Sequence, residues 1–310
     1  MFFKNLYFFA FTRPMTCSQE SLENSLVDHA FTPCASTELS HFGFVPALGK
    51  GSTALAHESS GNILICARKE EKILPAAVIK DATDERIEWL EKEQGRKATK
   101  KEREQFKEDV IFSRLPQAFS RFTDTHAYIN AELNLIVIDA SSRGKAEDIL
   151  ALLRKALGTL PVTSFSPDTA PDETMTGWLS LSSAESAIGG AFSFGGRVEL
   201  SAIGDNAATA RLNNENLYGD EVQAHLNDGK YVNKIGLEYA GTVNFVLCDD
   251  LSIKQLKFED VIKEQNDDID REDHIALLTA DFALMAGETN RMIIDLLGEF
   301  GVKTGDYLDQ

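Results

Sequence analysis

Cysteine is scarce in this chain: the four thiols, Cys17, Cys34, Cys66 and Cys248, lie far apart and form no C-x-x-C pair. That spacing argues against a zinc ribbon or a disulfide framework and leaves small apolar core residues of a reducing compartment. Long apolar runs are missing too. Lys4, Asn5 and Arg13 interrupt the amino-terminal crowd of Phe2, Phe3, Leu6, Tyr7, Phe8, Phe9 and Phe11, no small-residue cleavage site follows, and nothing approaches a membrane span of about 18 apolar residues. A soluble, cytoplasmic chain with no membrane partner is expected, its first aromatic run forming a β-strand. Positive charge is in deficit, with Lys+Arg 31 against Asp+Glu 49 and a net charge of −18. A uniformly basic nucleic-acid binder is therefore excluded, and a hydrophobic fraction of 43% excludes a wholly disordered chain.

Catalytic signatures are equally sparse. No serine stands in a G-x-S-x-G elbow, and the six histidines contain no H-x-x-x-H pair. Gly43 and Gly49-Lys50 imitate a phosphate loop, but five residues separate the glycines and Gly51 follows the lysine, so a turn is expected. Gly189-Gly190 and Gly195-Gly196 fail the dinucleotide-binding spacing. Asp249-Asp250 and the cluster from Asp267 to Asp273 supply enough carboxylates for Mg²⁺, the alternative reading being a Mg²⁺-dependent nucleic-acid enzyme. Their simpler roles are a hairpin turn and a helix amino terminus, so no cofactor, no metal and no catalytic residue is expected.

What is present is an asymmetry. Residues 1–163 hold 21 basic and 22 acidic side chains, whereas residues 164–310 hold 10 and 27. An anionic polymer would have to meet the first half. The patterning predicts strands over residues 2–12 and 62–67, the latter ending at the charged run Arg68-Lys69-Glu70-Glu71-Lys72. A short helix is expected over residues 17–30. Residues 84–112 read as two helices, because Gly95 interrupts them and Thr99 with Glu102 forms a capping box. Between these helices sit Arg96, Lys97, Lys100, Lys101 and Arg103. A strand pair at residues 126–130 and 135–139, a helix over 145–157 closed by Gly158, and a strand over 161–165 follow. Residues 164–176 read as a linker rich in Ser, Thr, Pro and Asp, and residues 189–196 as a glycine-rich stretch. A helix at 220–227, strands at 230–238, 242–248 and 253–258, and a final helix over about 270–300 complete an α+β fold of mixed sheets with flanking helices. Three regions are expected: 1–163 with a basic surface, 164–229 projecting and variable, and 230–310 with a β-meander and a long helix.

Several blocks together resemble the bacterial recombination-associated protein RdgC family. They are Ala30-Phe-Thr-Pro-Cys34, Gly43-Phe-Val-Pro46, Ile65-Cys-Ala-Arg-Lys-Glu-Glu-Lys-Ile-Leu-Pro75, Leu115-Pro-Gln-Ala-Phe-Ser-Arg-Phe122, Lys145-Ala-Glu-Asp148 with Leu150-Ala-Leu-Leu-Arg-Lys155, and Gln265-Asn-Asp-Asp-Ile-Asp-Arg-Glu-Asp273. The resemblance implies a non-enzymatic protein that binds double-stranded DNA with little sequence preference. It further implies an open crescent protomer, a ring-shaped homodimer encircling the duplex, a nucleoid location, and modulation of RecA-dependent recombination and replication-fork repair, with RecA or its filaments as a partner. By sign and by position in or near the matching blocks, the residues assigned to the DNA-facing wall are Arg68, Lys69, Lys72, Lys80, Lys97, Lys100, Lys101, Arg114 and Arg121, as phosphate contacts and not base readers. Phe119 is assigned to the dimer interface. The segment Arg211-Leu-Asn-Asn-Glu215 is less basic than the resemblance implies, which puts a DNA contact there in doubt.

Overall fold

The computed structural model describes residues 1–16, 18–180, 188–204, 208–266, 269–270 and 273–308; Cys17 and four members of the acidic cluster, Asp267, Asp268, Arg271 and Glu272, lie outside them. In chain order, the first elements are β1 (Leu6–Phe11), α1 (Gln19–Val27), β2 (Ser40–Val45), β3 (Ala56–Ser59), β4 (Asn62–Lys72), α2 (Ala76–Gln94) and α3 (Lys100–Arg114). Next come β5 (Ser120–Asn130), β6 (Leu135–Asp139), α4 (Arg143–Leu157), β7 (Val162–Thr163), α5 (Pro171–Leu179), β8 (Phe192–Ser201) and β9 (Thr209–Asn213). The chain continues through α6 (Asp220–Asn227), β10 (Tyr231–Tyr239), β11 (Val243–Cys248), β12 (Ile253–Phe258), α7 (Asp260–Lys263) and α8 (His274–Glu299). The fold is mixed α and β, with extensive antiparallel strand pairing.

Two compact units share the chain. The larger comprises Met1–Asp28, Pro46–Cys66 and Thr125–Gln310. Its strands run β5-β6-β1-β12-β11-β10-β8-β9, with β3 on β4 and β7 on β1. The expected alternation of β1 is realised in register, Leu6 to Ala10 pairing antiparallel with Asp139 to Leu135. Helix α8 buries Phe282, Met285, Met292, Ile293, Leu296 and Leu297 in one cluster with Phe8, Tyr128, Val137 and Leu247. Each such side chain removed from water contributes about 1.5–3 kcal/mol. One polar cluster inside this core is internally paired: the Tyr128 hydroxyl donates to Asn290 Oδ1 at 2.8 Å, while Asn290 and Asn130 donate to Asn62 Oδ1 at 3.0 and 2.9 Å.

The smaller unit comprises His29–Val45 and Ala67–Asp124. It contains β2, the later part of β4, the α2–α3 hairpin and the start of β5. Helix α2 ends as its sequence requires, at Gly95 with φ 62°, where a side chain would be strained. Helix α3 starts at the complete Thr99–Glu102 capping box. Ile87, Leu90 and Ala98 pack with Phe106 between the helices. Gly43 is a close-approach glycine in β2, since a Cβ there would stand 2.5 Å from Phe31 Cα. The other half of the apparent phosphate loop is a turn, Gly49 N–H donating to Pro46 O at 2.9 Å.

Four local expectations are corrected. The stretch expected as a linker contains α5, whose Pro171 and acidic Asp172 and Glu173 start a helix that buries Met175, Trp178 and Leu179. Strand β4 continues through the charged run to Lys72 because its side chains find partners on β5. Strand β8 runs through Gly195 and Gly196, where Gly195 lets the backbone of Gly236 approach to 3.4 Å of its missing Cβ. Helix α2 begins at Ala76, eight residues before the expected start at Asp84.

Candidate nucleic-acid interface

All nine cations assigned to a DNA-facing wall fall in the smaller unit, and they divide by position. The first group lies along β4 and β5. Arg68 donates bidentately to Asp124, with both bonds at 2.7 Å. Arg121 pairs with Glu71 at 2.7 Å, and Lys69 reaches the same carboxylate at 3.9 Å. Lys72 Nζ donates to Ser120 Oγ at 3.1 Å and lies 3.6 Å from Glu70. Glu70 also accepts from the Cys34 N–H at 2.8 Å and the Ser120 hydroxyl at 2.5 Å. The Ser120 and Cys34 bonds hold its carboxyl below the usual range. The Cys34 thiol is pushed the other way, by burial first and by the charge of Glu70, so it is not a reactive thiolate. Here four cations face three carboxylates. The exposed pairs, Arg68–Asp124, Arg121–Glu71 and Lys69–Glu71, are worth about 0–1 kcal/mol each, so a phosphate can compete for their cations, whereas Lys72 and Glu70 are largely buried.

The second group is the corner between α2 and α3. Arg96 grips Glu102 with bonds at 2.9 and 2.6 Å, and Arg103 reaches Glu91 at 3.3 Å. Glu102 is held well below the ordinary carboxylate range, by Arg96 first and then by Thr99. Two of the five corner cations are therefore internally neutralised. Lys97, Lys100 and Lys101 are exposed and have no ion pair among the described residues. Lys100 and Lys101 stand in the first turn of α3, where the helix dipole disfavours positive charge by about 0.3–1 kcal/mol.

Lys80, on α2, shares a cleft with Lys72. Arg114 occupies the last turn of α3, the dipole-favoured end, and no contact joins it to the other eight among the described residues. Beyond it, Leu115–Gln117 make a short 3-10 turn containing Pro116, and Phe119 emerges 84% exposed, its carbonyl accepting from Ile73 N–H at 2.8 Å. That exposure excludes a core role for Phe119. Sequence patterning missed Lys107, which lines the same cleft, and the exposed rings of Trp89 and Phe112. An apolar residue on the polar face of a helix was the available signal. Arg211, on β9, is spent on Glu199 at 2.5 Å.

Two carboxylates of the alternative reading, Asp250 and Asp273, have structural partners among the described residues. Asp250 accepts from the Ser252 N–H and hydroxyl in the β11–β12 turn, and Asp273 caps α8 by accepting from Ala276 N–H at 3.0 Å. Burial first, and then the charges of Asp250 and Asp172, raise the Asp249 carboxyl. No group of three potential metal ligands occurs among the described residues. No helix among them is long and apolar enough to cross a membrane.

The comparisons bear on the whole chain. A family model described as "Putative exonuclease, RdgC" matches residues 1–303. A recombination-associated protein RdgC from Colwellia psychrerythraea is 59% identical over 310 residues, covering 100% of both chains. One from Tolumonas auensis is 45% identical and one from Aeromonas hydrophila 46% identical, each over 301 residues, covering 97% of this chain and 98% of the relative.

Proposed function

The chain belongs to the RdgC family of recombination-associated proteins, and from that premise we propose that it binds double-stranded DNA without sequence preference, as a homodimer closed into a ring around the duplex. In this reading it acts in the cytoplasm at the nucleoid and modulates RecA-dependent recombination and replication-fork repair. The observation that carries the reading is the cluster Lys97, Lys100 and Lys101 at the α2–α3 corner, exposed and without an ion pair among the described residues, in a chain of net charge −18. Phosphates are the natural counter-charge for lysines placed against a helix dipole, and contacts of that kind carry no base preference. A ring requires positive charge only on its inner wall, while an acidic exterior keeps DNA from wrapping outside.

The exonuclease in the family's description favours a second reading, in which the Asp249, Asp250 and Asp267 to Asp273 carboxylates would serve a Mg²⁺-dependent nuclease. One experiment separates the two: end-labelled linear and nicked circular duplexes are incubated with the protein and Mg²⁺ over a range of salt. A clamp retards both duplexes intact, and its affinity falls by about 0.9 log units per neutralised phosphate per log unit of salt. Shortening of the linear label makes the protein a nuclease. Affinity that is flat with salt, or dominated by one sequence, rejects the clamp.

A further inference from the structure

The smaller unit holds a cleft of about 640 Å³, within the roughly 300–1,000 Å³ typical of ligand sites. Leu39, Leu74, Ile79 and Ile111 give it an apolar lining. Lys72, Lys80 and Lys107 surround that lining, with Asp84 as the sole acidic member. Glu70 draws on Lys72 at 3.6 Å, but Lys80, Lys107 and Asp84 make no ion pair among the described residues. Ala76, in the first turn of α2, also lines the cleft, and that turn has neither an acidic residue nor a side-chain cap. Its backbone N–H groups add to the positive field. Ile73 and Val78, next to lining residues in sequence, are each 48% exposed.

We propose that this cleft captures an acidic peptide segment carrying an aliphatic or aromatic side chain, presented by a partner protein. The lining contains no aromatic ring and no guanidinium, so it lacks the stacking platforms on which nucleic-acid bases are held. It is aliphatic, which suits a Leu, Ile or Phe side chain. The three ammonium groups come from three elements, β4, α2 and α3, a spread that matches several carboxylates flanking an apolar anchor better than one headgroup. Capture of such a peptide requires no DNA, so this proposal stands or falls apart from the DNA-binding reading.

The test uses full-length protein and a fluorescein-labelled peptide, Gly-Asp-Asp-Glu-Leu-Phe-Asp-Asp-Gly, with anisotropy read at low salt. Wild type binds saturably. The exposed pair Lys80→Glu and Lys107→Glu together weaken binding by about tenfold or more, and so does replacing Leu-Phe in the peptide by Ser-Ser. Leu39→Asp, at a position 55% exposed and therefore safe for folding, also weakens it. If the charge reversals shift the melting temperature, Lys80→Gln and Lys107→Gln replace them. Equal binding of the Ser-Ser peptide overturns the proposal, as does indifference to the lysines. Binding of octanoate with the same lysine dependence, while the peptide stays free, reassigns the cleft to a small amphiphile.

Discussion

The two compact units differ in what they do with charge and apolar surface. The smaller holds 14 of the 31 basic and 14 of the 49 acidic residues, so it is neutral, and the larger carries the whole deficit of 18 with 17 and 35. The larger buries its long aromatic and aliphatic side chains in one extended cluster. The smaller exposes Leu39, Ile73, Val78, Trp89, Phe112, Phe119 and Phe122, seven of the twelve large exposed hydrophobics among the described residues. An excess of exposed apolar side chains on the unit that also carries unpaired lysines is the composition of a contact surface. The net negative charge of the larger unit repels anions.

Core truncation gives the largest test of that contrast. Phe282→Ala in the larger unit is expected to cost about 3–5 kcal/mol in denaturant unfolding. Phe119→Ser is expected to change stability by less than about 0.5 kcal/mol while shifting sedimentation from dimer toward monomer. Equal destabilisation by both would erase the distinction between scaffold and contact surface.

Acid comes next. Glu199 is opposed by desolvation, yet hydrogen bonds from Lys234, Arg211 and Asn233 lower its carboxyl to about 2. Because the folded value lies below the unfolded ~4.3, the stability it confers is complete above pH ~4.3 and is lost as pH falls toward 2. That contribution is on the order of 3 kcal/mol. Melting curves of wild type and Glu199→Gln between pH 6 and 3 should therefore converge as the pH drops, and parallel curves would reject the assignment.

A smaller effect sharpens the charge comparison. The triple reversal Lys97→Glu, Lys100→Glu and Lys101→Glu is expected to lower duplex affinity about 100-fold at low salt and to flatten the salt slope by about one per lysine. Reversing Lys145, Lys155 and Lys257 of the larger unit should leave affinity within about threefold. Comparable losses would mean that DNA does not distinguish the units. The smallest effect is Thr99→Ala, about 1 kcal/mol, read as faster amide exchange at the start of α3.

Legibility in the sequence followed the range of the interaction. The Thr99–Glu102 capping box, the Gly95 stop and α6 at residues 220–227 are local, and all appear as expected. The strands expected over residues 230–258 were also legible, because short alternating segments are separated by turn residues. The late part of β4 was not legible. Arg68 is a strand residue because Asp124, 56 positions away, neutralises it, and no one-dimensional pattern carries that pairing. Helix α5 was hidden for a different reason: the composition of residues 164–176 was weighed over the Pro171 and Asp172 start signal. At the candidate interface, the residue types were readable but their pairing was not. Arg96 and Arg103 look identical in sequence to Lys97 and Lys100, and only Glu102 and Glu91 remove them from the free charge.

The position of β1 in its sheet has a consequence for biosynthesis. Its Ala10 and Phe11 are joined by β7 once Thr163 has been made, but Leu6 waits for Ile253, about 90 residues later. At roughly 5–20 residues per second, translation leaves that end of the strand open for roughly 5 to 18 seconds. A ribosome-bound chain thus displays part of the segment Leu6-Tyr-Phe-Phe-Ala-Phe11 as a sticky edge during that interval. Crowded polysomes and slow codons between those two positions would lengthen its exposure, and a nascent-chain chaperone is the natural cover for it.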